Sequence, residues 1–262
     1  MELQVKDKVF MLAASSKGLG YGIARELAKD GAIVCLASRT ETELTLAAKT
    51  LHQETGAEVF PFVMDTASPE SILNWTKAVI NRFGRIDGLL VNAGGPPAGG
   101  FQDFTDNDWQ KAFELTLMSA VRMTHAVLPS MKENGGSILT ITSMSVKEPI
   151  ETLLLSNVFR SGVTSLVKSL AKELAPHQIR VNNLMPGRID TDRVRSLDQI
   201  KAQQSDLPVE DIQKANCKTI PLGRYGNTDE FGKAGAFLLS EAASYITGAS
   251  LQVDGGLIKT VW

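Results

Sequence analysis

Short apolar runs alternate with longer amphipathic stretches along this chain, and the hydrophobic period changes at each boundary. The runs at 8–14, 32–37, 58–63, 87–91, 137–142, 179–184 and 250–253 are rich in Val, Ile and Leu. They are too short for helices and apolar at nearly every position, so they predict seven strands covered on both faces. Between them lie helical signals. Ile23, Ala24, Leu27 and Ala28 follow the first run at helical spacing, and Leu155, Phe159, Val163, Leu166 and Leu170 follow the fifth. Thr40 and Glu43 have the spacing of a capping box, Ser68 precedes Pro69 as an N-cap precedes a first-turn proline, and Thr105 with Asp106 and Asp108 makes a third capped start. This alternation specifies an α/β fold: a single doubly wound parallel seven-stranded sheet with helices on both faces. No linker, repeat or low-complexity tract divides the 262 residues, so one domain over 1–262 is expected. The least regular stretch is 188–228, punctuated by Pro208, Pro221 and Gly223. It follows the carboxyl end of a strand, where open α/β sheets bind ligands, and is expected to be a loop insertion that closes over a substrate.

Composition narrows the function. Lys and Arg number 27 against 29 Asp and Glu, a formal net charge of -2. That balance excludes sequence-independent nucleic-acid binding, which needs a basic surplus to meet phosphates. No apolar run approaches the roughly 18 residues needed to cross a bilayer. The opening residues include Glu2, Lys6, Asp7 and Lys8 rather than an apolar signal. A soluble, cytoplasmic protein without a membrane partner is expected. Cys35 and Cys217 lack the spacing of a metal knuckle or a redox pair, so no metal site is expected, and Cys35 reads as a small core residue.

The first strand runs into Ala13-Ala14-Ser15-Ser16-Lys17-Gly18-Leu19-Gly20 and then a helix. A glycine turn leading into a helix N-terminus binds anions, because unpaired backbone N–H groups and the helix dipole converge there. Roughly twenty residues on, where a carboxylate would hold the ribose of NAD, stand Ser38 and Arg39. Arg39 and Lys17 are two cations suited to a 2′-phosphate, so NADP(H) is favoured; Glu41 and Glu43 nearby are expected to serve the helix start instead.

Five further blocks accompany this turn: Asp65-Thr66; Asn92-Ala93-Gly94; Ser143; Ile179-Arg180-Val181-Asn182 leading to Pro186-Gly187-Arg188-Ile189-Asp190-Thr191; and Pro221-Leu222-Gly223-Arg224 through Tyr245-Ile246-Thr247-Gly248 to Val253-Asp254-Gly255-Gly256. Together they make the chain resemble, over almost its whole length, the short-chain dehydrogenases/reductases, and among them the 3-oxoacyl-acyl-carrier-protein reductases. The resemblance implies a Rossmann fold that binds NADP(H) through Ser15, Ser16, Lys17, Gly18, Leu19 and Gly20. It places Asp65 and Thr66 near the adenine, Asn92, Ala93 and Gly94 beside the ribose, and Pro186, Gly187, Ile189 and Thr191 along the carboxamide. It also implies a carbonyl or acyl-thioester substrate and a homotetramer built on the long central helices and the C-terminal strand. One departure lies in the turn itself, where Ala14 stands at a family glycine and its methyl narrows the approach to the pyrophosphate.

The larger departure is in the catalytic set. Family members protonate the carbonyl oxygen with a tyrosine, lower that tyrosine's pKa with a lysine four residues later, and hold the oxygen with a serine; an asparagine anchors a water. Ser143 stands at the serine position, but the tyrosine, lysine and asparagine positions hold Ser156, Arg160 and Thr116. The spacing of four that puts Ser156 and Arg160 on one helix face is kept. Tyr21, Tyr225 and Tyr245 lie far along the chain from the strand-five corner, and His52, His125 and His177 have no spacing that ties them to Ser143. Lys147, Glu148 and Glu151 follow Ser143 in what reads as a solvated loop. Two readings follow: an NADP(H)-dependent oxidoreductase with Ser143 and Ser156 on the carbonyl and Arg160 on the cofactor ribose, or a non-catalytic NADP(H)-binding protein acting as a sensor or an oligomer subunit.

Overall fold

The computed structural model describes residues 2–261. Seven parallel strands form one sheet: β1 (Val9–Ala13), β2 (Ile33–Ser38), β3 (Val59–Val63), β4 (Gly88–Val91), β5 (Gly136–Ile141), β6 (Ile179–Pro186) and β7 (Ser250–Val253). Their order is β3-β2-β1-β4-β5-β6-β7, so the chain reverses its winding between β1 and β4. The crevice in which doubly wound sheets take ligands belongs at that point, beyond the carboxyl ends of the strands. All seven expected strands form, within one or two residues of the expected ends.

Alternate residues of β1 feed the two faces of the sheet. Phe10 and Leu12 join a core with Ile23 and Leu27 of α1 (Gly18–Lys29), Leu44 and Leu51 of α2 (Glu41–Thr55) and Phe231 of the last long helix. Val9, Met11 and Ala13 join a second core with Trp75 and Val79 of α3 (Pro69–Phe83). That second core continues through Met123 and Val127 of α5 (Ser119–Asn134) and Val163 and Val167 of α6 (Leu154–Glu173). Each such large side chain taken fully out of water contributes about 1.5–3 kcal/mol, which holds both layers to the sheet. Cys35 lies in this second core, and burial pushes its thiol pKa up, as expected of a packing residue.

α4 (Asp106–Phe113) runs into α5 through one π-helical turn, Glu114–Met118, which carries Thr116. All three expected helices start where expected, after Thr40, Ser68 and Thr105, but the side-chain cap forms at only two of them. Ser68 accepts from the Ser71 N–H, and Thr105 and Asp108 make a reciprocal capping box. At Thr40 the expected box is corrected: the Thr40 side chain makes no cap, because Glu43 is turned toward Lys17 Nζ at 3.3 Å.

The stretch 188–228 is not irregular. It contains α7 (Asp192–Ser205) and α8 (Val209–Thr219), after which α9 (Thr228–Leu239) packs against α1. α7 buries only Asp198 and Ala202, so it shows almost no apolar stripe from which a helix could be read. A polar cluster docks it instead. The Asp198 carboxylate accepts from Arg188 Nη1 at 3.0 Å, Asn216 Nδ2 at 3.0 Å and the Tyr225 hydroxyl at 2.9 Å.

Candidate active site

The crevice is floored by the turn after β1. Ala14 adopts φ +47° and Gly18 φ +62°. The turn is held from two sides: Asn92 Nδ2 donates to the Ala14 carbonyl at 3.1 Å, and Ser15 Oγ donates to the Leu12 carbonyl at 2.7 Å while accepting from the Ala37 N–H. The Ser15 hydroxyl, expected at the nucleotide, is therefore a clasp between β1 and β2. Ser16 keeps its hydroxyl free of protein partners, and Leu19 packs onto the core. A Cβ on Gly20 would stand 2.7 Å from the Ala14 carbonyl oxygen, so only glycine lets the helix pass this close to the turn.

At the end of β2 the Ser38 hydroxyl oxygen is buried, and the neighbouring Arg39 is exposed; among the described residues the hydroxyl has no partner and the guanidinium makes no ion pair. A buried orphan hydroxyl beside a free guanidinium is unusual without an anion to bind both, and a 2′-phosphate would satisfy both. Lys17, the other expected phosphate cation, is already paired with Glu43 and with Asp192 of α7, each at 3.3 Å. Those hydrogen bonds raise its pKa. Arg39 is the better candidate. Asp65 uses one carboxylate oxygen on the Ala67 N–H, and Thr66 lies buried beside it.

The walls come from the loops after β4 and β6. Beyond Asn92 and Ala93, Gly94 faces open space. On the other side Pro186 pairs with Val253, and a Cβ on Gly187 would lie 2.6 Å from Asp254 Cα. Ile189 buries its side chain in the core, leaving only main chain to meet a ligand. Thr191 caps α7, and its methyl lies 3.7 Å from where a Gly18 Cβ would be, so the start of α7 hangs over the glycine turn. The lip 94–100 is tied down at its far end: the Gly99 N–H donates to the Thr152 carbonyl at 2.7 Å.

The chemical corner lies past β5. Ser143 Oγ accepts from the Ser145 N–H at 3.1 Å, which leaves its own proton free to donate. Ser156, on α6, is buried and its hydroxyl has no protein partner; the Oγ1 of Thr116, in the π-helical turn, is likewise buried and unpaired. Arg160 Nη1 donates to the Ile141 carbonyl at 2.8 Å and the Thr142 carbonyl at 3.3 Å, which fixes the guanidinium behind Ser143. Burial, with the like charge of Arg193, lowers the Arg160 pKa to about 10. Among the described residues no carboxylate pairs with Arg160. Among the described residues none of the three tyrosines contacts this corner: Tyr225 is bound to Asp198, Tyr245 is fully exposed, and Tyr21 lies on α1. Glu148 is also committed, accepting from the Lys259 N–H at 2.6 Å and the Thr260 N–H at 3.1 Å. Arg193, which sequence reasoning missed, projects from α7 and donates through Nη2 to the Pro96 carbonyl at 3.0 Å.

A doubly wound sheet with a glycine turn after β1, an unpaired hydroxyl beside an exposed guanidinium at the end of β2 and a corner of free hydroxyls past β5 fits a dinucleotide-binding α/β enzyme. Residues 13–258 match the family model described as enoyl-(acyl carrier protein) reductase. The chain is 36% identical over 252 residues to dehydrogenase/reductase SDR family member 4 of Oryctolagus cuniculus, spanning 95% of this chain and 93% of that protein. An L-sorbose reductase from Gluconobacter frateurii, solved with NADPH and L-sorbose, superimposes with a TM-score of 0.95 at 30% identity over the full length of both chains. An NADPH-bound short-chain oxidoreductase from Pseudomonas aeruginosa PAO1, described as containing an atypical catalytic center, gives 0.88 at 28% identity, covering 98% of this chain and 100% of that one. The chain belongs to the short-chain dehydrogenase/reductase family and is an oxidoreductase.

Proposed function

We propose that the protein is an NADP(H)-dependent carbonyl reductase, with Ser143 and Ser156 holding the substrate oxygen. The observation that carries this reading is the pair of hydroxyls at the β5–α6 corner, one with its proton free and the other without any partner, in front of a fixed cation. Ser38 and Arg39 would hold the 2′-phosphate, Ser16 and the turn through Gly20 the pyrophosphate, and Asp65 the adenine. When bound, the nucleotide supplies hydride to the carbonyl carbon. The chain's own groups orient the oxygen and receive the charge that develops on it. Ser143 and Ser156 donate hydrogen bonds, and Arg160 adds a positive field that persists at neutral pH. A serine hydroxyl is far less acidic than a tyrosine phenol, whose pKa is near 10, so these hydroxyls polarise the oxygen and relay a proton from water. General acid catalysis contributes about 10²–10⁴ in rate, whereas positioning contributes about 7–11 kcal/mol, so loss of the tyrosine leaves most of the catalytic means in place.

A 3-oxoacyl thioester is the finer substrate reading drawn from the family resemblance, and a homotetramer the finer assembly. Exposed Val158 on α6 and Leu251 on β7 support contact surfaces there, which light scattering after size exclusion would test. The test of the reductase reading is NADPH oxidation with 3-oxoacyl thioesters, oxo acids, aldehydes and diketones, comparing wild type, Ser143→Ala and the double change Ser156→Tyr, Arg160→Lys. Turnover that falls about 10²-fold or more in Ser143→Ala, and rises in the double variant, supports the reading. NADPH binding without turnover in wild type supports the non-catalytic reading, which the missing tyrosine motivates.

A further inference from the structure

Among the described residues, two arginines near the serine corner have no counter-ion. Arg160 uses Nη1 on the strand-end carbonyls of Ile141 and Thr142, leaving Nε and Nη2 with no protein partner. Arg193 reaches across from α7 to the Pro96 carbonyl, and its guanidinium covers Gly95, where a Cβ would lie 3.1 Å from Nη2. Arg160 is anchored at the end of β5 and Arg193 over the loop that follows β4, the strand paired with β5. Arg160 is half-buried, whereas Arg193 is exposed on α7.

The acids that could neutralise them face elsewhere. Asp190 binds Arg195 at 2.8 Å, and Asp192 pairs with Lys17 at 3.3 Å and Arg195 at 3.5 Å. Asp198 is enclosed by Arg188, Asn216 and Tyr225, and Glu148 is held by the N–H groups of the C-terminal tail. Arg193 thus sits between two aspartates in sequence and pairs with neither. Like charges held together without an anion destabilise the folded chain, and a ligand carboxylate relieves that repulsion while accepting from the planar donor forks.

The location identifies the occupant. The pyrophosphate end of the crevice is at Ser16 to Gly20 and the 2′-phosphate end at Ser38 and Arg39. Arg160 instead stands one helical turn from Ser156 and on the carbonyls just before Ser143, and Arg193 lies over the loop that follows β4. We propose that Arg160 and Arg193 form an anion subsite beside Ser143 and Ser156 that binds a carboxylate of the substrate, making the preferred substrate a free oxo acid rather than a neutral ketone or thioester. The carbonyl part of this inference rests on the reductase reading above; the carboxylate contact does not.

The experiment compares 2-oxobutanoate with its methyl ester and acetoacetate with methyl acetoacetate, in wild type, Arg193→Gln and Arg193→Lys. NADPH affinity is measured by fluorescence in each protein. A parallel calorimetric titration adds oxamate, or its neutral relative oxamide, to the protein–NADP complex. Expected are kcat/KM for an acid about tenfold or more above its ester in wild type, loss of that preference in Arg193→Gln through KM, and partial return in Arg193→Lys. Ester turnover and NADPH affinity should change far less than acid turnover in each variant. Esters used as well as acids by wild type would overturn the proposal. So would an Arg193→Gln protein that binds NADPH about tenfold more weakly with the acid preference intact, because the pair would then serve the nucleotide. If no carbonyl compound is reduced, the reductase reading fails and the titration decides alone: oxamate binding more tightly than oxamide supports the anion subsite, and equal binding overturns it.

Discussion

Replacing Ala14 with glycine should stabilise the protein. Ala14 holds φ +47° with Asn92 fastened to its carbonyl at 3.1 Å. A left-handed conformation costs a residue with a Cβ roughly 1–2 kcal/mol, because the methyl crowds the next carbonyl. Glycine escapes that crowding but gives the unfolded chain more freedom, an opposing effect of about 0.4–1 kcal/mol. The expected net gain from Ala14→Gly is about 0.5–1 kcal/mol, which for a domain of this size raises Tm by about 1–4 °C. The mirror change provides the calibration. Gly18 has φ +62°, and a Cβ there would meet nothing nearer than 3.7 Å, so Gly18→Ala imposes the conformational penalty without a clash. Thermal unfolding followed by circular dichroism should show Tm rising for Ala14→Gly and falling for Gly18→Ala. NADPH affinity should rise in Ala14→Gly as the methyl leaves the pyrophosphate path. An unchanged or lower Tm for Ala14→Gly would refute the assignment of strain to this turn.

Arg39→Ala should weaken NADPH binding about tenfold to hundredfold and leave NADH binding nearly unchanged, since a charge-assisted phosphate contact contributes about 1.5–3 kcal/mol; equal losses for both nucleotides in fluorescence titration would contradict the 2′-phosphate assignment. Asp198→Ala strands Arg188 without its partner and should lower stability by about 3 kcal/mol, a Tm decrease of about 6–12 °C; a decrease under about 2 °C would mean that the cluster does not dock α7 and α8. Glu230 is held to a pKa of about 2 by Arg224 and by the Asn227 N–H. Its folded pKa lies below the ordinary carboxylate value, so its contribution is present above about pH 4.5 and disappears as pH falls toward 2. A carboxyl titration followed by NMR should find that low midpoint and its return toward 4.5 in Arg224→Ala; an ordinary midpoint in wild type would exclude the pairing.

The strands were legible because burial on both faces writes itself as a continuous apolar run, as in Val9 to Ala13. The helix α7 was not, because polar contacts to Asp198 replace an apolar stripe and no period in the sequence records it. Residue types at the crevice could be read by position, but their commitments could not. Ser15 and Lys17 both looked like nucleotide contacts, and only the folded neighbourhood shows Ser15 clasping two strands and Lys17 paired with Glu43 and Asp192. The Thr40–Glu43 spacing fitted a capping box, yet Lys17, 26 residues from Glu43, takes its carboxylate. Arg193 read as one more cation in a polar stretch. Its partner carbonyl is 97 residues away, a distance that no local pattern can encode.

The change from tyrosine and lysine to Ser156 and Arg160 is coherent as a pair. A serine leaves vacant the volume that a phenol ring would fill and lacks acidity, so a lysine one turn later would have no phenol whose pKa it could lower. Arginine makes other use of the position. Its fork is long enough to anchor on the β5 carbonyls while two donor nitrogens remain available, and at a pKa of about 10 it stays charged through the neutral range. The corner thereby exchanges an acid that can lose its proton for a cation that keeps it. A site of that kind stabilises negative charge, whether it develops on a carbonyl oxygen during reduction or enters already present on the substrate. Arg193 favours the second contribution alongside the first, because a lone developing oxyanion would be served by Ser143, Ser156 and Arg160 without a further cation brought across the crevice from α7.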